Sequence, residues 1–142
     1  MRELLANLPQ QGQLQYIGLR PARREPLESV DKASLSTEHG LTGDHFAGKS
    51  SKKRQVTLIQ AEHLVAVGAM LGLSSLDPGS LLRNLVVAGI NLLALKDAHF
   101  AIGETELLGT GLCHPCSRME ENLGPGGYNA MRGHGGITAQ VL

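Results

Sequence analysis

The sequence has few aromatic residues, no excess of charge of either sign and no long apolar run. Its 142 residues include two Tyr, two Phe and no Trp, and its 13 basic residues balance 13 acidic ones. This balance argues against the broad basic surface of nucleic-acid-binding proteins, so we expect no nucleic-acid partner. The longest apolar run, residues 64–71, is far shorter than the ~20 residues of a membrane-spanning helix, so we expect no membrane span.

Cysteine is also scarce, with two residues in the chain. Two cysteines do not make the disulfide framework of a small secreted protein, and the N-terminus shows no signal peptide. Together these features predict a cytoplasmic protein whose thiols are reduced. The length predicts a single domain over residues 1–142, with a core large enough to need no covalent staples.

Glycine, in contrast, is abundant: 18 residues, about twice the usual frequency of roughly 7%. Many glycines between short apolar segments indicate strands joined by tight turns and little long helix, so the predicted fold is mainly β with a few short helices. Strands are predicted over residues 13–19, 27–35, 55–59, 85–87, 99–102, 105–108 and 137–142. The loop Gly103-Glu104 is typical of a type II′ hairpin.

The clearest helix is predicted over residues 60–71, from apolar residues at helical spacing. The predicted apolar stripe comprises Ala61, Leu64, Val65, Gly68 and Leu71. We interpret the stripe as core packing without a functional role. His63 lies off this stripe, which predicts that it faces solvent.

Both cysteines fall within four residues of each other, at Cys113 and Cys116. Pro115 suits the first position of a helix, and the sequence predicts a short helix over residues 115–123. Cys116 would then lie in the first turn, where the helix dipole and free backbone N–H groups favour the thiolate, the nucleophilic and metal-binding form. Cys116 is therefore the candidate functional thiol.

Several chemical interpretations of the two thiols remain open. A dithiol redox pair has the right spacing but normally begins a long helix. A structural zinc site would need four ligands, for which the sequence offers Cys113, His114, Cys116 and His134. A single reactive cysteine beside an anion-binding cavity is the third, favoured by nearby Arg118 and Arg132. The fourth is a pair of ordinary thiols, the commonest case for cysteine.

Two further segments are candidates for ligand binding. The glycine-rich loop over residues 38–48 carries Asp44 and His45 and is followed by Lys53 and Arg54. It is either a solvated surface loop or a loop that wraps an anion. Arg83 and Asn84 precede a predicted core strand, and from their position a binding role and a surface role are equally favoured.

Four segments together resemble a known family: residues 40–45 (GLTGDH), 54–59 (RQVTLI), 83–85 (RNL) and 109–136. The sequence resembles the MOSC domain, named for the C-terminal domain of molybdenum cofactor sulfurase, and is most similar to its small stand-alone bacterial members. The resemblance implies a β-barrel-like fold with a few helices packed outside. The family pattern usually continues with another turn and strand, so we expect its C-terminal end to be missing and a barrel edge to lie open or be covered by a partner or a second copy.

The resemblance also implies roles for individual residues. In the family, the cysteine corresponding to Cys116 carries a persulfide or ligates molybdenum, tasks that suit a soft thiolate; Cys113 would have a lesser role. Basic side chains would meet the phosphate of the pterin: Lys53, Arg54, Arg83 and Arg118. Polar side chains would hydrogen-bond the pterin ring or orient its neighbours: His45, Asn84 and Asn129.

The implied cofactor is the molybdenum cofactor, molybdopterin. The implied partners are a cysteine desulfurase that donates sulfur and a molybdoenzyme that receives it. The implied activities are sulfur transfer and the reduction of N-hydroxylated compounds. No lysine suits a Schiff base, so pyridoxal phosphate would belong to the partner desulfurase. The alternatives are a non-catalytic module that binds an anionic ligand and a small domain stabilised by zinc.

Overall fold

A computed structural model describes residues 1–22, 25–45 and 51–142, so residues 46–48 of the predicted glycine-rich loop lie outside the described chain. In the described part the strands are β1 Gln13–Leu19, β2 Glu28–Val30, β3 Leu35–Ser36, β4 Gly40–Leu41, β5 Val56–Gln60, β6 Leu85–Ala88, β7 His99–Ile102, β8 Thr105–Leu112 and β9 Ile137–Val141. The α-helices are α1 Arg2–Ala6, α2 Ala61–Met70, α3 Ser117–Leu123 and α4 Gly127–Met131. Short 3-10 helices span Lys52–Arg54, Pro78–Leu81 and Leu92–Leu95.

Seven strands form one curled, half-barrel sheet in the order β2-β1-β6-β5-β9-β8-β7. Only β5 and β6 run parallel, and α2 lies on the connection between them. The other neighbouring strands in this sheet are antiparallel. The strand β9 fits between β5 and β8, and β2 and β7 form the two edges. The predicted mainly β fold with a few short peripheral helices is confirmed.

The central strands are buried on both faces because their side chains alternate between two cores. Leu58 of β5 and Leu85 of β6 belong to the core inside the curl, whereas Ile59 and Val86 belong to the core between the sheet and the helices. The helices contribute to this outer core mainly through Val67, Met119, Ala130 and Met131.

A large cavity of about 980 Å³ opens inside the half-barrel. Its walls are mostly aliphatic, with Leu58, Leu85 and Leu107 from the sheet and Phe100 as its aromatic side chain. The scarcity of bulky aromatic residues is consistent with a curl that its own side chains leave incompletely filled. We call this space the inner cavity.

Two predictions about local structure are wrong in detail. The strand predicted over residues 27–35 is divided into β2 and β3 by a short non-strand segment. In α2, Val65 was predicted to face the core but is 74% exposed, whereas Val67 is fully buried. The helix is apolar over most of its surface, so the positions of its apolar residues do not show which face packs on the sheet.

None of the helices in the described residues is long and apolar enough to cross a membrane.

Candidate functional site

Cys113 directly follows β8 and is held in place by the loop that precedes β9. Its backbone N–H donates to the carbonyl oxygen of Gly136 at 2.9 Å, and its side chain is buried. A Cβ atom at Gly135 would overlap the carbonyl oxygen of Cys113, so only glycine allows this close approach. The backbone around Cys113 is therefore fixed by its contact with the loop that precedes β9.

Cys116 is exposed and lies just before α3, as its N-cap residue. The helix begins at Ser117, so the prediction that it begins at Pro115 is wrong and Cys116 lies one position outside the first turn. The carbonyl oxygen of Cys116 accepts a hydrogen bond from Met119 N–H at 2.9 Å, and the Met119 side chain is fully buried. The Cys116 side chain makes no capping hydrogen bond, which leaves the sulfur open to reagents.

Both thiols line a cavity of about 340 Å³, which we call the thiol cavity. Its walls are formed by Arg20, Arg54, Thr57, Leu82, Arg83, Cys113, His114, Cys116 and Arg118. Four of these residues are arginines and none is acidic. The thiol cavity therefore presents positive charge beside an accessible sulfur atom, a combination that suits an anionic ligand or reactant.

Arg83 is the buried member of the arginine group, at 5% exposure. Its Nε donates to the carbonyl oxygen of Gly135 at 2.8 Å and its Nη1 to that of Leu81 at 3.0 Å. Nη2 lies 3.4 Å from the carbonyl oxygens of Cys113 and His114. Arg83 thus ties the residues before β6 to the thiol segment and to the loop before β9, a role that its sequence position did not reveal.

Arg118 and Arg54 have donors left for a ligand. Arg118 lies in the first turn of α3, and its Nε is buried without an acceptor among the described residues. A buried donor without a partner is costly, and an anion in the thiol cavity would satisfy it. Arg54 is exposed at the end of its 3-10 helix. Neither side chain forms an ion pair within the described part of the chain.

Asn84 lies behind the thiol cavity and joins three parts of the sheet region. Its Oδ1 accepts hydrogen bonds from N and Oγ1 of Thr57, both at 3.1 Å. Its Nδ2 donates to the Gly18 carbonyl oxygen at 3.1 Å and to Asp44 Oδ1 at 3.2 Å. The side-chain amide is therefore occupied by protein groups, and Asn84 supports the cavity wall through Thr57.

The remaining predicted ligand-binding residues do not line the thiol cavity. Lys53 is exposed, and its carbonyl oxygen accepts a hydrogen bond from the Thr110 hydroxyl. His45 is half-buried at the end of a described segment. Asn129 is exposed within α4 and Arg132 is exposed just after it, with Arg132 Nη1 3.4 Å from Asn129 Oδ1. The structure therefore brings together Arg54, Arg83, Arg118 and the two cysteines, and leaves these four residues elsewhere.

Arg20 lines the thiol cavity but was missed by sequence reasoning. It follows β1, and its backbone N–H donates to Asp44 Oδ1 at 2.9 Å. Its position at the end of a strand was the available signal, because loops at strand ends often carry binding groups. That signal alone does not distinguish Arg20 from the other arginines near it in sequence.

The zinc arrangement suggested by the sequence is not formed. The described residues contain no group of three or more His, Cys, Asp or Glu side chains placed to hold a metal ion. His134 instead packs against His63, with ring centroids 5.0 Å apart and ring planes at 87°. The prediction that His63 faces solvent is wrong, because its ring is half-buried in this contact.

Solved structures with the same fold provide independent comparisons. The YuaD protein from Bacillus subtilis matches with a TM-score of 0.79 at 18% identity, over 94% of this chain and 90% of that one. YiiM from Geobacillus stearothermophilus matches with 0.72 at 15% identity, over 93% of this chain and 68% of that one. YiiM from Escherichia coli matches with 0.66 at 19% identity, over 89% of this chain and 62% of that one. At these identities the matches show a common fold.

No curated protein matches this sequence. The model of the MOSC domain family matches residues 22–140, a span that includes both cysteines and three arginines of the thiol cavity, Arg54, Arg83 and Arg118. Together with the half-barrel sheet, this match over most of the sequence shows that the chain belongs to the MOSC domain family.

Proposed function

We propose that this protein is a sulfur carrier that serves the molybdenum cofactor through Cys116. The observation that supports the proposal is an exposed thiol at a cavity whose described wall residues include four arginines and no acidic side chain. MOSC domains are associated with the molybdenum cofactor, which carries a phosphate. Arginine side chains bind phosphate through paired, charge-assisted hydrogen bonds.

Sulfur uptake would be a thiol-exchange reaction at Cys116. The Cys116 thiolate attacks the outer sulfur of a persulfide on a partner cysteine desulfurase, the sulfur–sulfur bond of the donor breaks, and the donor cysteine leaves as a thiolate. Cys116 then carries the extra sulfur as a persulfide, with no net oxidation or reduction. Pyridoxal phosphate belongs to the partner in this scheme, since no lysine among the described residues lines the thiol cavity.

The arginines would have distinct tasks when the cofactor is bound. Arg118 and Arg54 have donors available for its phosphate, whereas Arg83 holds the wall behind the thiols. The cofactor would supply the metal that accepts the sulfur, whether the cofactor is free or bound in a molybdoenzyme. The protein's own contribution is to hold the phosphate and to keep the Cys116 sulfur at the cavity.

Mass spectrometry tests sulfur carriage directly. The protein is incubated with a cysteine desulfurase and cysteine, and the modified peptide is identified. We expect one added sulfur atom on Cys116 in the wild type and in Cys113→Ser, and none in Cys116→Ser. Equal labelling of Cys113 and Cys116, or labelling that persists in Cys116→Ser, would contradict the proposal.

The second candidate is thiolate ligation of molybdenum by Cys116, which the same exposed sulfur favours. In this case the protein would be the binding component of a reductase of N-hydroxylated compounds. Metal and pterin analysis of protein purified from a cofactor-producing host distinguishes the two. Stoichiometric molybdenum and pterin, lost in Cys116→Ser, would favour ligation, whereas pterin retained in that variant would favour a binding module that does not need the thiol.

The partners and the compartment follow from this function. A cysteine desulfurase would dock where Cys116 is exposed, and a molybdoenzyme would receive the sulfur. Both belong to the reducing cytoplasm, where a free thiol persists.

A further inference from the structure

The contact between His63 and His134 joins the outer helices to the thiol cavity. His63 lies on α2, and His134 lies in the loop between α4 and β9. Their rings meet edge to face, and the Nδ1 atom of each is buried without a hydrogen-bond partner among the described residues. Two neutral imidazoles fit this arrangement, whereas a charged ring would leave a buried N–H⁺ without an acceptor.

The loop that carries His134 also forms the wall behind the thiols. The next residue, Gly135, accepts the hydrogen bond from Arg83 Nε, and Gly136 accepts that from the Cys113 N–H. Cβ atoms at these two glycines would overlap the carbonyl oxygens of Cys113 and Leu58, respectively. A loop packed this closely cannot shift at His134 without changing its contacts with Arg83 and Cys113.

We propose that the His63–His134 contact is a proton-operated support of the thiol cavity, intact when both rings are neutral and released when one is protonated. Release moves the loop, removes the Gly135 acceptor from Arg83 and loosens the segment that ends at Cys116. The inference deepens the proposed function, on which it rests, because it assigns a regulation to the same cavity. The device would limit ligand binding and sulfur uptake in acidic conditions.

The surroundings of His63 agree with this assignment. Burial, and secondarily the charge of His134, hold the pKa of His63 below its ordinary value, with Glu62 acting in the opposite direction. The strands β5 and β6, which also pack against α2, carry no titratable side chain, and α4 carries only Tyr128. The Glu62 carboxylate is engaged by the Gly89 N–H at 2.9 Å. The fold therefore opposes proton uptake by His63, as a contact that opens on protonation requires.

Whether the arginine wall of the thiol cavity is intact can be measured by a quantity that we call the charge selectivity of Cys116. It is the ratio of the alkylation rates with iodoacetate, an anion, and with iodoacetamide, which is neutral, both followed at Cys116 by peptide mass spectrometry. Both reagents consume the same thiolate, so its titration cancels from the ratio. An intact arginine wall attracts the anion and raises the ratio.

We expect the charge selectivity of the full-length wild type to fall by about threefold or more between about pH 8 and about pH 5. In His134→Gln and His63→Gln, which keep a polar side chain that does not titrate, the ratio should not fall over the same range and should equal the wild-type value near pH 8. If one of these variants fails to fold, the other is sufficient for the test. A ratio that stays constant in the wild type, or rises because a histidine has gained charge, would overturn the inference.

A nuclear magnetic resonance measurement is independent of the proposed function. The Arg83 Nε–H signal, shifted by its bond to Gly135, should move to the position of an unbonded arginine in the wild type on acidification and keep its position in His134→Gln. If that signal responds while Cys116 accepts no sulfur from a desulfurase, the proposed function fails and the support remains. If Cys116 accepts sulfur while neither signal nor selectivity responds to pH, the support fails alone.

Discussion

The thiol cavity and the inner cavity lie on different parts of the same sheet and differ in almost every respect. The inner cavity is nearly three times larger, at about 980 Å³ against about 340 Å³, and its walls are mostly aliphatic. The thiol cavity is small, but polar groups of one charge sign and an exposed sulfur converge there. Volume alone would single out the inner cavity, whereas the convergent polar groups that specific chemistry needs are found in the thiol cavity.

The difference reflects how the two spaces are built. The inner cavity is bounded in large part by strand side chains that project into the curl, such as Leu58, Leu85 and Leu107. The thiol cavity is bounded by segments at strand ends and helix starts: Arg20 after β1, Arg83 before β6, and the Cys113–Cys116 segment between β8 and α3. Strand interiors contribute stability here, and strand ends contribute the reactive groups.

The largest effect on stability should come from the inner cavity. Leu107 is fully buried on β8 and lines that cavity. We expect Leu107→Ala to lower the free energy of unfolding by about 2–5 kcal/mol, measured by urea denaturation, and to leave the charge selectivity of Cys116 unchanged. A large change in selectivity would show that the two cavities are coupled and would break the comparison.

A smaller loss of stability should follow from Arg83→Met. The variant leaves the buried carbonyl oxygens of Gly135 and Leu81 without their donor, which should cost about 1–3 kcal/mol. The charge selectivity should fall as well. The matched control is Arg54→Met, at an exposed arginine of the same cavity, which should change stability by no more than about 0.5 kcal/mol. Equal losses of stability in the two variants would show that the hydrogen bonds of the Arg83 side chain do not stabilise the fold.

Arg118→Met should weaken the attraction of anions to the thiol cavity without lowering the stability of the fold. Its Nε has no acceptor among the described residues, so removing this donor breaks no hydrogen bond there. We expect the charge selectivity to fall about threefold or more at low ionic strength, and less in high salt, because the cavity loses one positive charge. A selectivity that does not change would exclude Arg118 as an anion-binding residue. Thermal unfolding provides the control for the fold.

The smallest effect expected is the dependence of stability on pH. The pKa of His63 is lowered in the folded state by burial, so below the ordinary histidine pKa of 6.5 the unfolded chain binds the proton more readily. The contribution of His63 is therefore fully present above about pH 6.5 and is lost as the pH falls through its folded-state pKa. Urea denaturation of the wild type and His63→Gln across this range should show a steeper acidic decline in the wild type. Parallel curves would contradict the lowered pKa.

Much of the fold could be predicted from local patterns. The first strand, the hairpin of β7 and β8 and the last strand follow from alternating apolar residues and glycine turns. Local patterns could not predict the strand boundaries within residues 27–35 or the buried face of α2, because tertiary packing determines both. Periodicity is uninformative where a helix is apolar nearly all round.

The candidate site was predicted in part. The resemblance to the MOSC domain named Cys116, Arg54, Arg83 and Arg118, which the fold assembles around one cavity. The burial of Arg83 and the packing of His63 on His134 were not predictable, because each depends on contacts between residues more than fifty positions apart. No pattern along a single sequence indicates which distant carbonyl oxygen an arginine will reach.

The position of β9 in the sheet determines when Cys113 becomes buried during folding. This strand is made after both of its neighbours, yet it must enter between β5 and β8 before either is fully paired. Gly135 and Gly136, which close over Cys113 and accept from Arg83, arrive with it. Cys113 therefore becomes buried only when β9 has entered the sheet, whereas Cys116 stays exposed in the complete fold.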